Sequence, residues 1–211
     1  MTAITLRQPV TSAEELREII GAPDAPAIKK QIDHLDEHCR QFIALAPLLF
    51  ISSANVDGQC DVSPKGDAPG FVHVLDDKQL AIPERAGNRR TDTMRNILAN
   101  PQVGLIFVIP GMRETLRING RATIYRDPEL LEAMTFQSKT PKVAMVVEAQ
   151  EVFLHCGRAL VRSHVWETMT WPDPATLPSA GRIFADHMQL PEVTCERAEE
   201  VLEDHYTTHL Y

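Results

Sequence analysis

The chain has 211 residues, a formal net charge of −8 and a hydrophobic fraction of 44%, which is typical of one soluble globular domain. The acidic balance argues against nucleic-acid binding, because such proteins need a basic face to displace counterions. The sequence shows no basic leader followed by an apolar run and no stretch that approaches a membrane span, so we expect no membrane attachment.

The cysteines and histidines predict neither a metal site nor a disulfide framework. The four cysteines are dispersed and include no C-x-x-C pair, which favours free thiols in a reducing cytoplasm. His34 and His38 lie four residues apart on a predicted helix, a spacing that suits a metal only if a third ligand is present. Acidic neighbours surround them without an obvious third ligand, so we interpret this face as a solvated helix surface.

In chain order, the pattern predicts a single domain over residues 1–211 with three parts. Residues 1–46 are predicted to be helical, with a capped start near Ser12 and a long second helix over residues 28–46. Residues 47–156 show the period of strands. Residues 157–211 are predicted to form a helical or irregular C-terminal segment.

The strand region predicts about seven strands joined mostly by short turns, with too few helices between them for parallel pairing. A closed antiparallel barrel follows, because closure removes exposed edges. The fold class is therefore mainly β with flanking helices. In the strand at residues 59–65, Ser63 and Lys65 share one face. Because Pro64 cannot donate a ladder hydrogen bond, either the strand ends there or it lies at an edge of the sheet.

The strongest functional candidate is the segment at residues 81–92. It follows the end of an apolar strand and places Arg85, Arg89 and Arg90 within six positions, just before a helix predicted at residues 91–99. Free backbone N–H groups and the helix macrodipole both favour negative charge at a helix start. The segment therefore predicts a site for a small anion.

Several segments together form a recognisable pattern. They are residues 61–67, residues 80–90, residues 96–101, the Pro110-Gly111 turn with residues 115–122, and residues 155–163. In order and spacing they resemble the pyridoxamine 5'-phosphate oxidase-like, FMN-binding split-barrel flavoproteins, nearest to a bacterial branch described only as flavin-nucleotide-binding. The resemblance implies an antiparallel Greek-key split β-barrel and a homodimer with FMN at the subunit interface.

The resemblance also implies the residues that hold the cofactor. Arginine forks, a lysine and a hydroxyl suit the FMN phosphate, which gives Ser63, Lys65, Arg85 and Arg89. The ring and ribityl chain are expected against Ala81, Ile82, Pro83, Gly87 and Asn88. The partner subunit is expected to contribute Arg158, Arg162, Ser163 and Trp166. By contrast, Arg90 is expected on the surface.

The predicted function is that of an FMN-dependent oxidoreductase acting on a small substrate or a reduced nicotinamide, with no catalytic side chain assigned. The alternative is a non-catalytic protein that binds flavin, haem or a deazaflavin as a store or sensor. For haem, His73 and His155 are the strand histidines to consider. The oxidase's tryptophan-to-proline closing motif is absent, and residues 199–204 are acidic, so oxidation of vitamin B6 is not expected.

Overall fold

The computed structural model describes residues 4–211, and these form seven strands in one antiparallel sheet. The strands are β1 (Leu48–Ala54), β2 (Cys60–Gly66), β3 (His73–Val74), β4 (Gln79–Pro83), β5 (Gln102–Val108), β6 (Thr115–Tyr125) and β7 (Ala144–His155). Their order across the sheet is β2-β1-β5-β6-β7-β4-β3, with every neighbouring pair antiparallel. The prediction of a mainly β protein built on an antiparallel sheet is confirmed.

Eight α-helices flank the sheet within this part of the chain. They are α1 (Ala13–Ile20), α2 (Ala25–Lys29), α3 (Glu37–Leu45), α4 (Asp92–Ala99), α5 (Pro128–Ala133), α6 (Arg158–Arg162), α7 (Ala180–Met188) and α8 (Cys195–Thr208). As predicted, Ser12 caps α1 by accepting a hydrogen bond from the Glu15 N–H. Along residues 4–211, none of these helices has the length and apolar character that a bilayer crossing requires.

The single long helix predicted over residues 28–46 is wrong. It divides into α2 and α3, because Ile32 pairs with Val152 of β7 through two backbone hydrogen bonds of 2.9 and 2.8 Å. Asp36 then starts α3 by accepting a hydrogen bond from the Cys39 N–H at 2.8 Å. An N-cap residue has extended backbone angles, so the helix must begin anew after it.

The core lies between the inner face of the sheet and the apolar faces of α3 and α4. Leu49, Ile51, Leu105, Phe107 and Ile118 are fully buried there. The alternation that predicted β6 is observed, with residues on one face buried and those on the other partly or fully exposed. The assignment of residues 1–211 to a single domain stays a prediction.

β2 lies at one edge of the sheet, where Pro64 costs no ladder hydrogen bond. Its burial pattern is the reverse of an ordinary amphipathic strand, since Asp61, Ser63 and Lys65 are half-buried while Val62 is 63% exposed. A polar face turned inward at a sheet edge indicates that β2 forms one wall of a polar cavity.

Two ion pairs join the end of β2 to the segment that follows β4. Lys65 Nζ lies 2.6 Å from Glu84 Oε2, and Arg85 Nε lies 2.6 Å from Asp67 Oδ2. β2 and β4 are far apart in the strand order, so the sheet must curl to bring these residues into contact. The two pairs therefore hold the curled sheet together at one end.

Cys39, on the inner face of α3, is the buried cysteine. Burial, with a hydrogen bond to Asp36, raises the pKa of its thiol to about 12. Because the thiolate is the reactive form, we expect iodoacetamide at mildly alkaline pH to modify the exposed Cys60 and Cys156 and to leave Cys39 unmodified. Peptide mass spectrometry in the absence and presence of urea checks this. Native modification of Cys39 as fast as that of Cys60 would contradict the packing of α3.

Candidate functional site

A polar cavity of about 330 Å³ lies between the inner face of β2 and the segment that joins β4 to α4. The residues that line it are Asp61, Val62, Ser63, Pro64, Lys65, Glu84, Asn88, Arg90, Thr91, Asp92, Thr93 and Met94. The fold therefore brings three residues predicted from the sequence, Ser63, Lys65 and Asn88, to one place. We call this space the β2–α4 cavity.

The N-terminus of α4 opens onto the β2–α4 cavity. Its N-cap residue, Thr91, has a left-handed backbone (φ 59°), and its side chain makes no capping hydrogen bond. The Thr91 hydroxyl instead donates to the carbonyl of Arg90 at 2.7 Å. First-turn N–H groups without a side-chain acceptor favour a negative ligand, as does the positive end of the helix dipole. This wall of the cavity therefore suits an anion.

The basic side chains on the cavity wall are held by carboxylates. Lys65 pairs with Glu84 at 2.6 Å, and Arg90 Nε pairs with Asp92 Oδ2 at 2.7 Å. The Lys65 side chain is 17% exposed, whereas that of Arg90 is 74% exposed and has room to turn. An anion that enters the cavity therefore competes with Glu84 and Asp92 for these two cations.

Arg85 lies outside the cavity and is committed to an internal ion pair. Its Nε donates to Asp67 Oδ2 at 2.6 Å, and its Nη1 donates to the carbonyl of Met134 at 3.0 Å. The Tyr211 hydroxyl donates to the other Asp67 oxygen at 2.8 Å. The Asp67 side chain is 1% exposed, so its carboxylate depends on these donors. The predicted role of Arg85 in binding a phosphate competes with this structural role.

The remaining residues of the arginine-rich segment fall into two groups. Ala81, Ile82 and Pro83 are buried in β4, so a ligand could meet little more than their backbone. Gly87 and Arg89 are exposed on the loop, and Arg89 has a left-handed backbone (φ 61°). A Cβ added at Gly87 would meet no atom within 4 Å, so packing within a single chain does not require glycine at this position.

Two of the four C-terminal residues predicted from the sequence line a second, separate cavity. Arg158 and Arg162 line this space of about 520 Å³, which shares no residue with the β2–α4 cavity. Trp166 Nε1 donates to the carbonyl of Met112 at 2.8 Å, and Ser163 Oγ donates to the carbonyl of Leu160 at 3.1 Å. Within a single chain, therefore, the predicted C-terminal residues do not line the cavity that contains Ser63 and Lys65.

Within the described residues, the histidines belong to no cluster that could hold a metal ion. His34 hydrogen-bonds Asp33 at 3.1 Å, and no group of three or more His, Cys, Asp or Glu side chains in residues 4–211 could hold a metal ion. His73 is half-buried on β3, where burial and then the charge of Arg85 lower its pKa. His155 is exposed at the end of β7.

Two further cavity residues, Asp61 and Thr93, lie close to those predicted from the sequence. Asp61 shares the face of Ser63 and Lys65 and accepts a hydrogen bond from the Thr93 hydroxyl at 2.6 Å, so strand alternation alone would have included it. Thr93 lies in the first turn of α4. Arg90 was expected on the surface, and its side chain is indeed 74% exposed, although it also borders the cavity.

More than half of the chain matches a known protein family. A family model described as pyridoxamine 5'-phosphate oxidase matches residues 35–156. Similar solved structures include a putative pyridoxamine 5'-phosphate oxidase from Lactobacillus delbrueckii (20% identity, 58% of this chain and 95% of that chain, TM-score 0.46). An FMN-binding protein from Syntrophomonas wolfei is also similar (12% identity, 67% of this chain and 92% of that chain, TM-score 0.43). So is HutZ, the heme storage protein from Vibrio cholerae (17% identity, 58% of this chain and 94% of that chain, TM-score 0.40). The search of curated proteins finds no match.

Proposed function

Because this chain belongs to the pyridoxamine 5'-phosphate oxidase family, we propose that it is an FMN-binding flavoprotein whose β2–α4 cavity holds the phosphate of the cofactor. The observation that carries the proposal is the cavity itself, where a lysine, an arginine and a hydroxyl surround the uncapped start of α4. These are the donor types that a phosphate needs.

The residues present fit the cofactor at its phosphate end. Ser63 and Lys65 supply a hydroxyl and an ammonium from β2, and Arg90 supplies a guanidinium from the opposite wall. Asn88 lies on the same wall with an amide for the ribityl chain. The exposed Arg89 adds a second guanidinium nearby. A phosphate in this place would take over the contacts that Glu84 and Asp92 now make.

The proposal includes a homodimer in which the flavin lies between subunits. Arg158, Arg162, Ser163 and Trp166 are then the partner's contribution, which is consistent with the position of Arg158 and Arg162 at a cavity separate from the first. The hydrogen bond from Trp166 to Met112 would hold that segment ready for the partner's flavin. A cytoplasmic location stays a prediction from the cysteine pattern.

We further propose that the flavoprotein is an oxidoreductase. FMN, when bound, supplies hydride and electron transfer, and the protein contributes binding and orientation. Among the described residues, the cavity wall carries no histidine or cysteine, and in this proposal its side chains bind and position the cofactor. Oxidation of vitamin B6 is not part of this proposal, because the oxidase's tryptophan-to-proline closing motif is absent from the sequence.

The decisive experiment is a titration of the purified, flavin-free protein with FMN and, separately, with riboflavin. We expect a perturbed flavin spectrum and markedly tighter binding of FMN, because riboflavin lacks the phosphate. Equal affinity for the two flavins would show that the cavity does not bind the phosphate. Failure to bind either flavin would refute the flavoprotein proposal. Steady oxidation of a reduced nicotinamide by the FMN-loaded protein would separate an enzyme from a store.

Glu84→Gln is expected to tighten FMN binding by about fivefold, since one negative charge about 4 Å from the phosphate is worth roughly 1 kcal/mol in water. The substitution keeps the size of the side chain but releases Lys65 from its ion pair. Equilibrium titration at low salt measures the effect, with Glu129→Gln on the exposed start of α5 as the matched control. Weaker FMN binding in Glu84→Gln would show instead that the pair is needed to orient Lys65.

A further inference from the structure

The second cavity carries an excess of positive charge without acidic partners. Arg113, Arg158 and Arg162 line it beside a single acidic residue, Glu114, so three arginines against one glutamate leave two positive charges. Within residues 4–211, none of these four side chains takes part in a salt bridge. In a chain whose net charge is −8, such a cluster indicates a local attraction for anions.

The walls of this cavity are fixed by backbone packing. A Cβ on Gly157 would lie only 2.4 Å from the carbonyl oxygen of Arg113, so the two chain segments cross at a distance that glycine alone allows. The Trp166 indole holds the same turn through Met112 at 2.8 Å. Arg113 and Arg158 therefore face one space because their backbones are held against each other.

We propose that this second cavity binds a small organic anion, a carboxylate or a phosphate, through Arg113, Arg158 and Arg162, and that this anion is the substrate class of the flavoprotein. Guanidinium groups bind both chemistries through paired hydrogen bonds. Binding of the anion needs only one chain. Its role as substrate rests on the proposed function, in which the same arginines lie beside the partner's flavin.

Cys156 provides a reporter inside the cavity, since its thiol lines the space and is exposed. Cys60 is also exposed but lies on β2, outside it. Iodoacetate and iodoacetamide are similar in size and differ in charge, so their rate ratio at each thiol reports the local attraction for an anion. We expect the ratio at Cys156 to exceed that at Cys60 by about tenfold, the effect of roughly two positive charges several ångströms away in water.

Substitution tests whether the arginines cause this preference. Arg113→Gln, Arg158→Gln and Arg162→Gln are each expected to bring the ratio at Cys156 toward that at Cys60. Arg126→Gln, at an exposed arginine outside the cavity, is the matched control and should leave the ratio unchanged. Equal ratios at the two thiols in the wild-type protein, or a preference that survives all three substitutions, would overturn the proposal.

Protection of Cys156 identifies the anion. If inorganic phosphate alone protects Cys156 from alkylation, the ligand is a phosphate, and if malonate alone protects it, the ligand is a carboxylate. If neither anion protects Cys156, the proposed site is overturned. If FMN protects Cys156 and riboflavin does not, the cavity holds the flavin phosphate itself, and the substrate proposal is refuted. Failure of the flavoprotein proposal would appear separately, as a protein that takes up no flavin while its alkylation ratio at Cys156 stays high.

Discussion

Replacing Arg85 by alanine is expected to lower the free energy of unfolding by about 3–5 kcal/mol, the usual cost of removing one partner of a buried ion pair. The substitution leaves the Asp67 carboxylate, 1% exposed, without its guanidinium. Burying an unpaired charge is far more costly than losing a surface contact. Urea unfolding followed by circular dichroism measures the change.

The controls for Arg85→Ala separate charge burial from loss of a ligand. Arg89→Ala, at an exposed arginine on the same loop, should change stability by no more than about 0.5 kcal/mol. Adding Asp67→Asn to Arg85→Ala should recover part of the loss, because the buried charge is then removed. If Arg85→Ala unfolds like the wild type yet binds FMN poorly, Arg85 is a phosphate ligand and the structural role is refuted.

Replacing Lys65 by alanine is expected to weaken FMN binding by about tenfold to over a hundredfold, the range that corresponds to roughly 1.5–3 kcal/mol for a charge-assisted hydrogen bond. The loss has two causes. The phosphate loses an ammonium donor that is only 17% exposed, and Glu84 keeps its negative charge in the β2–α4 cavity with no cation to balance it. Titration with FMN at constant ionic strength measures the loss.

Riboflavin provides the internal comparison for Lys65→Ala, because its affinity should change much less without a phosphate to bind. Lys78→Ala is the matched variant, since Lys78 is also paired with a carboxylate, Asp33, but lies outside the cavity. Equal weakening of FMN and riboflavin would mean that Lys65 supports the fold of the cavity and does not contact the phosphate.

The strand framework was predictable because its signals are local. Alternation defined the strands, and Pro64 marked an edge that the structure confirms. The break at Ile32 was not predictable, since it depends on pairing with Val152, a residue far along the chain. Helical periodicity reports only on neighbouring residues, so it carries no information about a pairing partner elsewhere in the sequence.

The cavity was predictable in part, and the arginines show why. Arg85, Arg89 and Arg90 are all cations near a helix start, and the local pattern does not show that Arg85 is the one held in an internal ion pair. Their surroundings differ only after folding, when Asp67, Met134 and Tyr211 gather around Arg85. Sequence reasoning singled out a segment that lines part of the cavity, but the surroundings of each side chain depend on partners that only the fold brings to it.

The strand order has a consequence for how the protein folds. The β1–β2 hairpin and the β5–β6–β7 meander join neighbouring segments, whereas the β1–β5 and β4–β7 pairings join segments far apart in sequence. Distant pairings must overcome more loop-closure entropy, which slows folding. The two walls of the β2–α4 cavity lie on β2 and on the segment between β4 and α4, so the cavity takes its final shape only when these segments are in place. A ligand that binds only the completed cavity therefore stabilises the native protein by mass action.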